Sequence, residues 1–343
     1  MSPARAGTSR LALALALGLA AVAASLVLSC ALGPQAISLA RAVSGEEPDR
    51  SILLGLRLPR ALLGALVGAA LSASGVALQA LLRNPLAEPF VLGVSGGAAL
   101  GGTLVLTAAS ALAGLAGWEG VPAAGVPVAL GAVAGAAGAT ALVFALGRIG
   151  GRLVPEAALL VGIVFNAFAA GVITLLKLLV PPEQAARMLY WLMGSIGYET
   201  AGSLAAGAAV VALSVGTLAL LSGRLNLLSL GDEEAASLGV EVGRDRGLTF
   251  LAASAATGAA VALSGMVGFV GLIVPHLVRR LAGPDHRLLV PAATLFGAAF
   301  LTLADAAARL AFLPLGTEPP VGALTALAGG PFFLWLLRRA ERT

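Results

Sequence analysis

The sequence LALALALGLAAVAASLVLSCAL, at residues 11–32, carries no charged side chain over its whole length and follows Arg5 and Arg10. About 20 apolar residues in a helix cross the hydrocarbon core of a bilayer, so this stretch is long enough to span it. A cleaved signal peptide is the alternative, but its apolar region runs for only about 7–15 residues. The length therefore favours a retained transmembrane helix.

The composition extends this interpretation to the whole chain. Of 343 residues, 59% are hydrophobic and 11% are charged, whereas soluble domains average about 25% charged residues. So few charges cannot cover so much apolar surface in water, and disordered chains have the opposite composition. The single cysteine, Cys30, excludes an intrachain disulfide and a cysteine-based metal cluster. We therefore predict an all-α polytopic membrane protein.

Nine further apolar stretches are interpreted as membrane spans. They are predicted at 61–82, 92–113, 122–147, 157–180, 201–221, 248–268, 269–282, 288–307 and 322–337. The division near residue 268 depends on length, because a helix of about 31 residues at about 1.5 Å per residue is too long for one crossing. Breaks are available at Gly265, Gly268, Gly271 and Pro275. The prediction is one transmembrane domain, residues 1–343, with about ten helices and both termini on one side.

The distribution of basic residues orients this domain, because cytoplasmic loops of membrane proteins collect Lys and Arg. With the N-terminus inside, 14 of the 21 basic residues fall inside, and the other seven lie outside or within spans. This split predicts cytoplasmic termini. It also leaves Arg57, Arg60 and Arg309 on the external side, where their charge requires a function.

The longest polar stretch, residues 222–247, is predicted to lie inside. Asp232, Glu233 and Glu234 open a short helical pattern, and negative charge stabilises a helix N-terminus. Leu238 gives the pattern an apolar side. A short amphipathic helix that docks on a partner is predicted, with an ordinary solvated loop as the alternative.

The chain has no motif for hydrolysing ATP by itself. A P-loop requires a lysine that follows glycine and reaches the phosphates, and the only lysine, Lys177, lies in the sequence LLKLL. Any such use of ATP must therefore come from another polypeptide. Within the predicted spans, Asp305 and Arg309 are four residues apart and can pair on one helix face.

The sequence leaves two other functional classes as alternatives. An intramembrane serine protease is suggested by Gly93-Val94-Ser95-Gly96, with His276 or His286 as the base, but the pattern is weak in a glycine-rich chain. Both histidines are predicted to be interfacial. A proton-coupled secondary transporter is disfavoured because the spans lack a chain of acidic residues. Neither a catalytic residue nor a metal or cofactor site is predicted.

A set of motifs stands in a fixed order between about residues 51 and 338. They include Arg57-Leu58-Pro59-Arg60, Gly75-Val76-Ala77-Leu78-Gln79, Arg83-Asn84-Pro85-Leu86-Ala87-Glu88-Pro89, Leu92-Gly93-Val94-Ser95-Gly96-Gly97-Ala98, Tyr190-Trp191-Leu192-Met193-Gly194-Ser195, Leu230-Gly231-Asp232 and Pro319-Pro320-Val321-Gly322. In this order the sequence resembles the FecCD-type permeases. These are the membrane subunits of type II ABC importers for iron–siderophore complexes, haem and vitamin B12.

The resemblance implies partners and a location. It implies a homodimer with a second permease copy, two ATPase subunits, and a periplasmic or lipid-anchored substrate-binding protein in the bacterial inner membrane. It implies no nucleic-acid partner and no cofactor bound by this chain, since ATP and Mg are used by the partner ATPase. The substrate path would run along the dimer interface.

The resemblance also implies roles for individual residues. Docking of the binding protein is implied for Arg57, Arg60 and Arg309, which would each bind a carboxylate; anchoring of the helix ends is the alternative. The resemblance implies that Asn84 and Leu86 form the cytoplasmic gate.

Coupling to the ATPase is implied for the polar segment 222–247, at Gly231, Asp232, Glu233, Glu234, Ala235 and Leu238. An iron–siderophore complex is the favoured cargo, with cobalamin or haem as the alternatives. No residue is assigned to a second gate near Leu153-Val154-Pro155-Glu156.

Overall fold

The apolar stretches fold as helices, since backbone groups in lipid must find their hydrogen bonds within the segment. A computed structural model of the chain describes residues 8–116, 126–150, 152–197 and 199–340. The helices are α1 (Thr8–Ala31), α2 (Leu39–Ser44), α3 (Asp49–Ile52), α4 (Leu58–Leu81), α5 (Val94–Ala116), α6 (Val126–Leu146), α7 (Pro155–Leu178), α8 (Pro182–Leu192), α9 (Ala201–Leu228), α10 (Asp232–Ser237), α11 (Val242–Ser264), α12 (Val270–Ala282), α13 (His286–Leu310), α14 (Phe312–Leu315) and α15 (Val321–Ala340). A π-helical turn at Leu53–Arg57 joins α3 to α4, and strands β1 (Arg148–Ile149) and β2 (Arg152–Leu153) form an antiparallel hairpin.

The all-α membrane architecture is confirmed. Among the described residues, seven helical segments are long and apolar enough to cross a membrane, and α5 and α15 contain shorter apolar segments. With the 13-residue α12, these helices correspond one by one to the predicted spans. The cytoplasmic position of the termini stays a prediction.

The second span differs from its prediction. Its helix begins at Asp49 rather than near residue 61, so Arg57 and Arg60 lie within the helix and not before it. The π turn lies directly before Pro59, and the N–H of Leu58 donates to the carbonyl of Leu53. Proline cannot donate a backbone hydrogen bond, and a π turn lets the helix continue past it.

The predicted division of the long apolar run after residue 248 is confirmed. Helix α11 ends at Ser264, and two residues with positive φ follow, Gly265 at 66° and Phe269 at 67°. Helix α12 then begins at Val270. Gly271 and Pro275, two other predicted break points, lie inside α12 and do not interrupt it.

The core of the domain is built around α4 and α11, which are buried over most of their length, whereas α1 and α7 expose most of theirs. Glycines let the backbones of the core helices approach closely. A Cβ added at Gly75 of α4 would lie 1.9 Å from the carbonyl oxygen of Gly271 in α12, and one at Gly68 would lie 2.1 Å from that of Gly297 in α13. Small residues at such crossings are typical of membrane helix packing.

We predict that Gly75→Ala lowers the thermal unfolding midpoint of the detergent-solubilised protein, because its methyl group overlaps a backbone atom that cannot rotate away. Overpacking of this kind costs about 1–3 kcal/mol. The midpoint can be followed by the fluorescence of the three tryptophans.

The matched control is Gly216→Ala in α9, where an added Cβ meets nothing within 4 Å. Its midpoint should stay the same or rise slightly, since alanine is the better helix former. Equal midpoints for the two variants would show that the α4–α12 crossing does not require glycine.

Candidate functional site

The connection between α4 and α5, residues 82–93, contains the two predicted gate residues and is named the gate loop after that prediction. Asn84 shapes its first turn. The backbone N–H of Asn84 donates to the carbonyl of Gln79 at 3.1 Å, and its carbonyl accepts from the N–H of Ala87 at 3.0 Å. Its side-chain Oδ1 accepts from the N–H of Leu86 at 2.9 Å. The predicted gate residues Asn84 and Leu86 are therefore joined in one turn, which asparagine favours through this side-chain bond.

Arg83 connects the gate loop to α10. Its φ of 49° is unusual for a residue other than glycine, and its exposed guanidinium lies 3.1 Å from Oδ1 of Asp232. The contact joins residues that are 149 positions apart in the sequence. The contact therefore links α10 to the residue that precedes Asn84.

Asp232 is shared between two arginines. Besides Arg83, it binds Arg246 of α11, whose Nη1 donates to Oδ2 at 2.8 Å and whose Nη2 lies 2.6 Å from Oδ1 without making a hydrogen bond. Arg246 is buried and also donates to the carbonyl of Leu153 in β2 at 3.2 Å. A charge-assisted hydrogen bond between an arginine and a carboxylate is stronger than one between neutral groups. The Asp232 carboxylate therefore has partners within the chain, although it was predicted to contact an ATPase.

The other predicted coupling residues divide between two sides of α10. Glu233, Glu234 and Leu238 are exposed, whereas Gly231 and Ala235 are buried against the rest of the chain. A cavity of about 310 Å³ lies beside α10, between α11 and the β1–β2 hairpin. The exposed side of α10 thus presents two carboxylates and one apolar side chain.

Glu88 fixes the other end of the gate loop to α12. Its carboxylate accepts the backbone N–H of Phe269, the residue before the first turn of α12. Such a carboxylate satisfies a free donor and favours the positive end of the helix dipole. Burial raises the pKa of Glu88 to about 7, although the Phe269 hydrogen bond opposes this rise. Glu88 belongs to the motif at residues 83–89, but no function was predicted for it from the sequence.

One amide side chain attaches the gate loop, and a second attaches the end of α4 that precedes it. Asn166 of α7 donates to the carbonyl of Phe90 at 2.7 Å. Gln79, at the end of α4, donates to the carbonyl of Gly271 at 3.2 Å and accepts from Arg279 at 2.7 Å. The gate loop is therefore held by α7, α10 and α12 together.

Two of the arginines predicted to dock the binding protein contact the end of α1. Arg57 donates to the carbonyls of Cys30 and Ala31 at 2.8 and 2.9 Å. Arg309 donates to the carbonyl of Ser29 at 2.9 Å and to its Oγ at 2.6 Å. The two side chains are buried, with 6% and 5% exposure. Both satisfy carbonyls that a helix C-terminus leaves without partners.

The third predicted docking arginine, Arg60, is paired with carboxylates of the same chain. Its Nη2 lies 2.7 Å from Oδ1 of Asp305, its Nε lies 3.0 Å from Oδ2, and it also contacts Glu318. The predicted pair of Asp305 and Arg309 is present, with 3.3 Å between Oδ2 and Nε. Sequence spacing identified this pair, but it could not identify Arg60 as the second partner of Asp305.

The residues of the protease alternative are not brought together. Ser95 is buried in the first turn of α5, and its Oγ has no hydrogen-bond partner among the described residues. Nδ1 of His286 lies 2.7 Å from Oδ1 of Asn226, and the ring of His276 packs edge-on against Phe332. Neither histidine therefore serves Ser95 in this structure.

The sequence is similar to transport permeases over almost its whole length. The FecCD transport family matches residues 18–339. The hemin transport system permease protein HmuU of Yersinia pestis is 42% identical over 290 residues, covering 84% of this chain and 83% of the relative. The cobalamin import system permease protein BtuC of Halobacterium salinarum is 40% identical over 298 residues, covering 87% and 76%.

A probable iron chelatin transport system permease protein of Helicobacter pylori is 38% identical over 292 residues, which cover 84% of this chain and 83% of the relative. The fold matches a solved inward-facing structure of a metal-chelate type ABC transporter. The TM-score is 0.81 at 31% identity, with 95% of this chain and 98% of the other covered. This chain therefore belongs to the FecCD transport family of ABC importer permeases.

Proposed function

We propose that this permease imports an iron chelate, a siderophore complex, across the bacterial inner membrane. The observation that carries the proposal is the fold match, over nearly the whole chain, to a transporter described as metal-chelate type. The similarity to an iron chelatin permease supports the same cargo. Cobalamin and haem are the alternatives, because other relatives are named for them.

The proposed assembly contains two copies of this chain, two ATPase subunits and a substrate-binding protein. Helix α7 offers a face for the second copy, because Leu160, Val164, Phe168 and Leu175 are all exposed and follow helical spacing. Asn166 attaches the same helix to the gate loop. A substrate path along α7 would therefore end at the gate loop, on the cytoplasmic side.

The proposed energy coupling runs from the ATPase through α10 to the gate loop. The ATPase contacts the exposed Glu233, Glu234 and Leu238, and its motion displaces α10. Asp232 transmits the displacement to Arg83, which begins the gate loop. This route is supported by the two contacts of Asp232, with Arg246 and with Arg83, which join α10 to α11 and to the gate loop.

The docking role proposed for the external arginines falls mainly on Arg60. Its partner Glu318 has a side chain that is 33% exposed, so a carboxylate of the binding protein could take its place. Arg57 and Arg309 would support docking by holding the end of α1, since their donors are used by backbone carbonyls. Reversal of charge at Arg60 would therefore affect docking directly.

The cargo is tested by reconstituting the complete importer, with its binding protein, in liposomes that contain ATP on the ATPase side. We expect ATP-dependent accumulation of a ⁵⁵Fe-labelled ferric siderophore, and no accumulation of labelled cobalamin or haem. The permease alone should accumulate none of them, since it has no P-loop lysine. Accumulation of cobalamin or haem in place of the ferric complex would contradict the proposed cargo.

The coupling is tested by Arg83→Glu, which sets a second carboxylate beside Asp232. We expect uptake by the reconstituted importer to fall about tenfold, which corresponds to a coupling free energy of about 1.4 kcal/mol. The ATPase rate should stay within about twofold, because the nucleotide sites lie on the partner. Uptake and phosphate release are measured on the same liposomes.

The matched control is Arg244→Glu, near the start of α11. Arg244 is exposed and pairs only loosely with Glu241, at 3.6 Å, so its reversal creates a similar repulsion without touching the gate loop. Uptake by this variant should equal that of the wild type. Equal losses in the two variants would show that a general charge effect, and not the Arg83 contact, is responsible.

A further inference from the structure

A groove of about 760 Å³ runs along the outside of the bundle, between α1, α12 and α13. Sixteen residues line it, and all but Arg10 are apolar. Its outer edges are exposed, with Leu13 at 61% and Leu281 at 87%. The groove is therefore apolar along its length and open to the side, and one of its lining residues carries a positive charge.

The groove occupies one half of the helix bundle. Helices α1 and α13 run in the same direction, because Gly18 lies against Leu295 and, further along both helices, Ser29 contacts Arg309. The lining runs from Arg10 to Ala21 on α1, which is about 16 Å at about 1.5 Å per residue. Half of a hydrocarbon core of about 30 Å is about 15 Å. The lining on α13, from Leu288 to Leu303, extends about 22 Å, so the groove is deeper than one leaflet on that side but does not cross the whole core.

The charge lies at one end of the groove, where a lipid headgroup would be. Arg10 is exposed and is the first lining residue of α1. No carboxylate pairs with it in the part of the chain that the structure describes. On the proposed orientation this end faces the cytoplasm, where anionic lipids attract basic residues close to the membrane surface. A phosphate is the group that an arginine binds most readily there.

We propose that this groove binds one anionic phospholipid of the cytoplasmic leaflet. Its phosphate pairs with Arg10, and an acyl chain lies along α1, α12 and α13. The terminal position of the charge and a depth short of the full hydrocarbon core favour a lipid over a second copy of the chain, for which α7 offers a separate face. The inference depends on the proposed function only for the orientation of the chain.

The bound lipid would pack against the helix that holds the gate loop. Helix α12 supplies Val274, Leu277 and Leu281 to the wall of the groove, and its N-terminus is capped by Glu88. Filling the groove increases the packing of α12 in the half of the bundle where the gate loop is attached. Anionic lipid should therefore stabilise the permease as well as bind to it.

The test is native mass spectrometry of the full-length permease in detergent with added dioleoyl phosphatidylglycerol or dioleoyl phosphatidylcholine. We expect one phosphatidylglycerol to be retained per chain, and much less phosphatidylcholine. Arg10→Gln should reduce the retained phosphatidylglycerol at least fivefold. The control Arg187→Gln, at an exposed arginine of α8, should leave it unchanged.

A second variant separates the apolar contact from the charge. Leu17→Trp fills the groove from a side chain that is 56% exposed, and it should reduce lipid retention while Arg10 is intact. The unfolding midpoint of the wild type should rise with phosphatidylglycerol, and that of either groove variant should not.

Equal retention of phosphatidylglycerol by wild type and Arg10→Gln would overturn the proposal. Equal retention of the two lipids by the wild type would do the same. Loss of a chain–chain dimer in Leu17→Trp, with no lipid on the wild type, would assign the groove to a second copy instead. These readouts involve neither cargo nor ATP, so failure of the lipid proposal is distinguishable from failure of the proposed transport function.

Discussion

The carboxylate of Asp232 holds α10, α11 and the gate loop together, because it binds Arg246 of α11 and Arg83 of the gate loop at once. The two contacts are unequal. Arg246 is buried, and breaking a buried pair leaves an uncompensated charge, which is costly. Arg83 is exposed, and pairs of that kind contribute about 0–1 kcal/mol. Asp232 is therefore fixed to α11, while the contact with Arg83 is weak enough to rearrange during a transport cycle.

The gate loop depends on this contact because its other attachments lead into the core. Glu88 joins it to α12, and α12 crosses α4 at Gly75 with no room for a side chain. Asn166 joins it to α7. Cores that are packed this closely move between discrete arrangements and do not deform continuously. Displacement of α10 would then shift the loop between two such arrangements.

The sequence predicted the features that depend on local composition. Apolar length identified the spans, and residue spacing identified the pair of Asp305 and Arg309. The partners of Arg57 and Asp232 could not be predicted from local spacing. Arg57 donates to a backbone carbonyl 26 positions away, and Asp232 binds a buried arginine 14 positions away and an exposed arginine 149 positions away. The predicted external position of Arg57 and Arg309 indicates that their charges need partners. It does not identify the end of α1 as the partner.

The central claim is that α10 acts on the gate loop through Arg83. Hydrogen–deuterium exchange of the assembled importer measures this directly, with and without ATP, in a background where the ATPase binds but does not hydrolyse the nucleotide. We predict that ATP changes the exchange of residues 232–237 in both the wild type and Arg83→Glu, but changes that of residues 82–93 only in the wild type. An equal response of residues 82–93 in both proteins would contradict the account.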